Sequence, residues 1–218
     1  MKFALVELPR ESDVVQKYSV DFSPRFRHPF YGWLGLRPAL AQHTEAEHAT
    51  LKRWAANRLV IVELGVAEGV SALALREAMA ENGTLYLIDP FHLSRIPSLN
   101  FMKRVARRAV GGCGRGNVVW TPKFSQDAAP GWNIPIDLLF IDGDHSDSGV
   151  ERDWNDWSRF VKVGGVVIFH DARMFRDGWV HREYGPWKLV ERLFRDGSTP
   201  NWKIVDEAHS MVVLERLQ

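Results

Sequence analysis

A chain of 218 residues with 45% hydrophobic and 25% charged residues can bury a substantial core and has ordinary globular composition. Its formal net charge of +1 gives no general reason to expect nucleic acid or an anionic membrane as partner. The single cysteine, Cys113, excludes an internal disulfide and points to a reducing compartment. No apolar run reaches membrane-spanning length, and the N-terminal stretch lacks the apolar core of a signal peptide. A cytoplasmic location without membrane contact is therefore expected. Nine tryptophans are many for this length; most should be core, with some available to line a pocket.

Residues 1–43 follow no strand–helix rhythm. Pro24, Pro29 and Pro38 interrupt them, with Phe22, Phe26, Phe30, Tyr31 and Trp33 between, so one long helix is excluded. This segment is expected to be an N-terminal arm: a lid, an oligomer contact, or simple packing on the core. Thr44 and Glu47 then have the spacing of a capping box, opening the main domain at 44–218. Its first helix carries Leu51, Trp54 and Ala55 on one side.

Leu59–Gly69 is the stretch that organises the rest. Val60, Ile61 and Val62 read as a strand buried on both faces, ending in Glu63. Gly65 and Gly69 bracket a tight turn, and Val70–Met79 reads as a helix stopped by Asn82-Gly83. Strand, glycine turn and helix in that order build a ligand site at the carboxyl edge of a parallel sheet.

Thr84–Ile88 is the second strand, ending in Asp89. Pro97 starts a helix with Phe101, Val105 and Ala109 on its buried side. Along it Lys103, Arg104, Arg107, Arg108 and Arg115 form an acid-free basic run, which reads as a solvated helix face or an anion site. Asn117–Thr121 is the third strand, followed by a loop through Ser125 and Asp127. Ile136–Ile141 is the fourth, finishing in Asp142-Gly143-Asp144-His145. The next helix has Val150, Trp154, Trp157 and Val161 at helical spacing and is broken by Gly164-Gly165. Val166–Phe169 makes the fifth strand, ending in His170-Asp171.

An irregular segment, 172–185, carries Arg173, Arg176, Trp179, His181, Arg182 and Tyr184. Pro186 begins a helix with Trp187, Val190 and Phe194 on one side. The last two strands, Trp202–Val205 and Met211–Leu214, are too close for a helical crossover and must pair antiparallel. The fold class is α/β, a three-layer α/β/α sandwich around seven mostly parallel strands with the last reversed.

This order of elements resembles the class I S-adenosylmethionine-dependent methyltransferases over roughly residues 45–218. Glu63–Gly69 matches the family's first motif, with Ala67 where a middle glycine often stands. Ile-Asp-Gly-Asp-His at 141–145 and Gly-Gly-Val-Val-Ile-Phe-His-Asp at 164–171 resemble a small-molecule O-methyltransferase branch, including macrocin-type enzymes and relatives of cephalosporin hydroxylase. The resemblance implies S-adenosylmethionine held by Glu63, Gly65, Ala67, Gly69, Asp89, Ser125 and Asp142. Asp89 would bind the ribose hydroxyls. Ser125 would reach the adenine or else cap a helix.

The chemistry of these residues agrees. A carboxylate suits a pair of ribose hydroxyls. An acid and a helix N-terminus complement the ammonium and carboxylate of the methionine end. The pyrophosphate of NAD, by contrast, would be repelled by Glu63 and Glu68.

Parallel strands deliver Asp142, His170 and Asp171 to one sheet edge, beside the methyl donor. Two carboxylates and an imidazole suit a divalent cation, and the resemblance implies magnesium, or manganese, at the matching positions. His170 stands where that branch carries an acid, which tilts selectivity toward manganese, iron or zinc. His145, three residues after Asp142, matches the catalytic base, with Asp142 beside it in the catalytic cluster. A small-molecule hydroxyl is the expected acceptor. The rivals are an N-methyltransferase, an RNA or protein methyltransferase, a non-catalytic S-adenosylmethionine-binding protein, and a metal-dependent oxygenase component. The Asn/Asp-Pro-Pro-Tyr signature of amino-directed enzymes is absent, and one basic helix is a narrow footprint for nucleic acid. A homo-oligomer remains open.

Overall fold

The computed structural model describes residues 27–91, 100–195 and 197–218. Its strands are β1 (Val60–Leu64), β2 (Thr84–Ile88), β3 (Asn117–Thr121), β4 (Ile136–Ile141), β5 (Val161–Phe169), β6 (Trp202–Ala208) and β7 (Met211–Arg216). They form one sheet in the order β3-β2-β1-β4-β5-β7-β6. The first five pair in parallel, while β7 runs antiparallel to both β5 and β6. β7 is thus the reversed strand that its short connection requires.

The described helices are α1 (Arg27–Trp33), α2 (Glu45–Ala55), α3 (Val70–Ala78), α4 (Phe101–Gly111), the four-residue α5 (Ser125–Ala128), α6 (Asp147–Trp157) and α7 (Gly185–Phe194). They cover both faces of the sheet, and the core divides accordingly. Ile61, Leu75, Leu85, Leu87, Phe140 and Ile168 belong to the cluster under α2, α3 and α4. Val62, Leu139, Trp157, Phe169, Leu189 and Val212 belong to the cluster under α6 and α7. Adjacent residues along β1 feed opposite clusters, as the period-two geometry of a strand buried on both faces demands.

Several boundaries differ from the sequence reading. α6 ends at Trp157, and Val161 is the first residue of β5 rather than the last of the helix. Its apolar side chain feeds the same core from the strand, which extends the helical spacing past the true end. Gly164-Gly165 lies inside β5, next to a register irregularity between Ile136 and Leu138 on β4. α3 stops at Ala78, before Asn82-Gly83. α4 is capped by Asn100 and buries Val105, Ala106 and Val110 instead of Ala109. The expected start at Pro97 lies outside the described residues. The terminal hairpin is longer than expected, with a turn of only His209 and Ser210.

Of the N-terminal arm, the described part folds back on the domain. Phe30 and Trp33 pack on Phe101, with ring centroids 5.4 and 5.1 Å apart. Arg108 donates to the carbonyls of Gly32 (3.2 Å) and Trp33 (2.8 Å). Arg104 lies over Trp33 and Arg107 over Trp120. Arg115 donates to the Met79 carbonyl at 3.2 Å. Much of the basic run therefore serves packing and capping. Trp157 is fully buried between the sheet and Trp132. Trp157→Ala should cost about 3–5 kcal/mol in urea unfolding, the range for emptying a large aromatic site.

Candidate functional site

The site begins with the turn after β1. Gly65 has φ +86, and a Cβ there would stand 2.1 Å from the carbonyl oxygen of Asp142. Only glycine lets the β1 turn approach the end of β4 this closely. Ala67 also has a positive φ, +47, the conformational reason a glycine often stands at this point of the motif. Gly69, at φ +82, precedes α3 without a side-chain cap, leaving first-turn amides of the helix available to a ligand.

This turn floors a cavity of about 610 Å³, a volume typical of small-molecule sites. Gly65, Ala67, Gly69, Asp89, Ser125, Asp142 and His145 all line it. Glu63 does not: it is fully buried, and one carboxyl oxygen accepts from Ser71 Oγ at 2.5 Å. The other has no hydrogen-bond partner among the described residues. Burial, joined by the nearby charges of Asp142 and Asp89, pushes the Glu63 carboxyl well above its usual range. Both effects disfavour its charged form, whereas the sequence reading sets this acid against the cofactor's ammonium.

Asp89 lines the cavity, but its carboxylate also organises the turn. Oδ2 accepts from the amides of Val66 (2.8 Å) and Ala67 (3.0 Å), and Oδ1 from that of Phe91 (2.6 Å). Ser125 starts α5, and its hydroxyl donates to Asp153, so in this state it is spent on a carboxyl group rather than offered to a ligand. None of the tryptophans lines the cavity.

The arm supplies the opposite wall through Leu40, Gln42 and His43. It is held there by Arg37, which donates to both oxygens of Glu68 at 2.7 and 2.6 Å, and by the Leu40 amide on Glu68 at 2.8 Å. Sequence reading missed this contact. A bidentate arginine–carboxylate pair between a proline-rich arm and a glycine turn has no local signature.

Beside the cavity, the ends of β4 and β5 bring Asp142, His145, His170 and Asp171 together, with one ligand atom of each within 4.8 Å of the others. His170 Nδ1 lies 3.1 Å from Asp142 and 3.3 Å from Asp171. His145 Nε2 lies 3.0 Å from Asp171 and 3.5 Å from Asp142. Asp171 has φ +54 and accepts from the Trp179 indole at 2.6 Å. Such strain in a residue held at a pocket is a common mark of function.

The pair of carboxylates governs the imidazoles. Burial disfavours charge on His145, but Asp142 and Asp171 outweigh it and raise its pKa to about 10. Burial also opposes charge on His170, and Asp142 reverses that too, raising it well above the usual value. For Asp142 burial acts upward while His170 and His145 hold it far below the carboxylate range. Both ring nitrogens of His170 are buried without a hydrogen bond among the described residues, though carboxylate oxygens stand close. Two carboxylates and an unsatisfied imidazole nitrogen converging on one point fit a divalent cation.

Asp153, also missed in the sequence, lines the far end of the cavity. Burial pushes its carboxyl from 3.8 up to about 6, assisted by Asp144 and Asp156. The folded state therefore binds this proton more tightly than the unfolded chain. Stability from this group is greatest below pH 3.8 and is lost as pH rises through about 6. Asp153→Asn should remove that loss. Its stability advantage over wild type in urea titrations should grow between about pH 4 and 6, then level off at the order of 2–3 kcal/mol.

Residues 62–172, half of the chain, match the family model described as a methyltransferase domain. Over 124 residues the chain is 33% identical to an uncharacterized protein of Acanthamoeba polyphaga mimivirus. That match covers 54% of this chain and 53% of the other, so the chain spans about half the length of this curated relative. Among solved structures, a Corynebacterium glutamicum protein superposes with a TM-score of 0.65 at 15% identity, covering 97% of this chain and 93% of that one. The O-methyltransferase TomG of Streptomyces achromogenes, involved in tomaymycin synthesis and solved with S-adenosylmethionine, gives 0.63 at 16% identity, covering 95% and 97%. An rRNA methylase from Streptococcus thermophilus gives 0.53 at 12% identity, covering 82% and 100%. These structural likenesses establish the fold, that of class I S-adenosylmethionine-dependent methyltransferases. With the family match spanning β1 to the end of β5, the chain belongs to the methyltransferase-domain family.

Proposed function

We propose that the protein transfers the methyl group of S-adenosylmethionine to a hydroxyl of a small molecule. The observation that carries this reading is the contact of the glycine-turn cavity with Asp142 and His145, which places a nucleotide-sized pocket against an acid–base cluster. The residues fit the cofactor. The uncapped amides of α3 suit its carboxylate, Asp89 keeps acceptor capacity for a ribose hydroxyl, and the unpartnered Glu63 oxygen lies below the methionine end. Gly65, Ala67 and Gly69 allow close backbone approach, and Ser125 with Asp153 bounds the adenine end.

S-adenosylmethionine supplies a sulfonium methyl that an acceptor oxygen attacks in line, so the O–C bond forms as the C–S bond breaks. The chain's work is to align the two, exclude water and take the acceptor's proton. Asp142, His170 and Asp171 would hold a divalent cation. A cation there would supply positive charge that offsets the two carboxylates and lowers the pKa of a neighbouring hydroxyl. His145, half-exposed at the cavity rim and relieved of its carboxylate partners, then receives the proton at Nε2. The described part of the arm, through 43, closes the cofactor in through its Arg37–Glu68 contact. Tyr184, in the loop before α7, stands 6.2 Å from the His145 ring and is itself backed by His181 at 4.4 Å, which offers an acceptor an aromatic wall beside the base.

A hydroxyl of a small molecule is favoured over RNA because the basic residues of α4 are engaged with the arm and with β3. The named function of TomG points the same way, that of the rRNA methylase the other.

Three variants test this reading. Asp89→Ala should raise the calorimetric Kd for S-adenosylmethionine at least about tenfold, since both the ribose acceptor and the turn's anchor are lost. His145→Ala should leave that Kd unchanged while slowing methyl transfer about 10²–10⁴-fold; equal turnover removes it as the base. Arg37→Ala should speed cofactor release in stopped-flow measurements by about tenfold, by loosening the arm from Glu68.

A further inference from the structure

We infer that the cation pocket is built for a borderline transition ion such as iron(II), cobalt(II) or zinc rather than magnesium, with Glu47 as the residue that positions its nitrogen ligand, His170. This rests on the reading of Asp142 and Asp171 as cation ligands. Magnesium demands an octahedral shell of oxygens and sheds water reluctantly, whereas imidazole nitrogen favours the later first-row ions. The His170 side chain is only 4% exposed. Its Nδ1 points at the Asp142 and Asp171 oxygens, yet neither ring nitrogen makes a hydrogen bond among the described residues. With Nδ1 at 3.1 and 3.3 Å from two carboxylate oxygens, the atoms that gather around a proton can close around a cation instead.

The opposite nitrogen, Nε2, faces Glu47 Oε2 at 3.8 Å. Glu47 closes the capping box of α2, but that duty uses one side of it only. Oε2 accepts from the Thr44 amide (2.7 Å) and hydroxyl (3.0 Å). Oε1 accepts from the Ser210 amide (2.8 Å) and hydroxyl (2.5 Å), at the turn of the β6–β7 hairpin. An ordinary capping glutamate has a solvated carboxylate, whereas this one is fully buried. Four donors hold its charge in place opposite Nε2. That fixed charge faces the ring from the side away from the two carboxylates, so the ring presents Nδ1 to them, in the order carboxylate, histidine, metal. Phe140 and Trp179, with centroids 6.4 and 6.2 Å from the ring, limit its rotation.

The test is a set of metal titrations of the full chain, stripped with EDTA and dialysed. Cobalt(II), zinc and magnesium are added separately in a calorimeter, with cobalt also followed by its visible absorption. Cobalt and zinc should bind at least about a hundredfold more tightly than magnesium. Because most sites rank these ions in that order, the deciding measurement is the change on substitution. His170→Asp should shrink the cobalt-to-magnesium ratio at least about tenfold. Glu47→Gln should weaken cobalt about tenfold and leave magnesium unchanged. If His170→Asp does not fold, as judged by circular dichroism, His170→Asn takes its place, with the ratio again expected to fall. Magnesium within tenfold of cobalt in the wild type, or a ratio untouched by the folded His170 variant, overturns the inference while leaving a cation pocket in place. Binding of none of the three ions removes the pocket itself.

Discussion

The structure depends most on one close approach, that of Gly65 to the carbonyl of Asp142. A Cβ at residue 65 would sit 2.1 Å from that oxygen, so the first turn and the end of the fourth strand can meet only through glycine. The meeting is what joins cofactor chemistry to acid–base chemistry. β1 and β4 are neighbours in the sheet, and their parallel register brings Leu64 level with Ile141. One residue further along, the glycine turn opens the cavity and Asp142 opens the charged cluster. β5 adds His170 and Asp171 from the next position in the same edge. Parallel strand order therefore does the assembling, and the local sequence supplies the chemistry.

Around that edge the chain spends buried charge on holding its outer parts in place. Arg37 and Glu68 tie the arm to the turn, and Glu47 ties the start of α2 to the hairpin turn at Ser210. Each is a carboxylate with several donors, the arrangement that makes a buried charge tolerable. Burial still tends to push Glu47 upward, but His170 and the Ser210 and Thr44 donors bring it down to about 2. The elements tied in this way, arm and hairpin, are those that flank the cavity and the cation pocket.

The strands are readable because short apolar runs between turn residues mark them: β2, β3 and β4 begin and end where those runs do, even though β3, at the sheet edge, is only partly buried. The convergence of Asp142, His170 and Asp171 follows from topology alone, and His145 enters through its spacing after Asp142 and the family resemblance. What was not legible depends on partners distant in sequence. Glu47 reads as a cap until Ser210, 163 residues on, is found against it. Asp153 reads as a polar position on α6 until burial beside Ser125 is seen. Glu63 reads as an acid facing the cofactor, and only the structure shows it fully buried beneath the floor, where its charged form is disfavoured. Val161 reads as helical because core-facing spacing continues across the boundary from α6 into β5.

The central claim is that the cavity on the glycine turn is the S-adenosylmethionine site. Titration calorimetry of the cofactor into the wild type and into Gly65→Ala tests it most directly. The account predicts one site of micromolar affinity in the wild type. In the variant, whose turn can no longer reach Asp142, that site should be lost. A wild type that takes up no cofactor, or a folded variant that binds it equally well, would contradict the account.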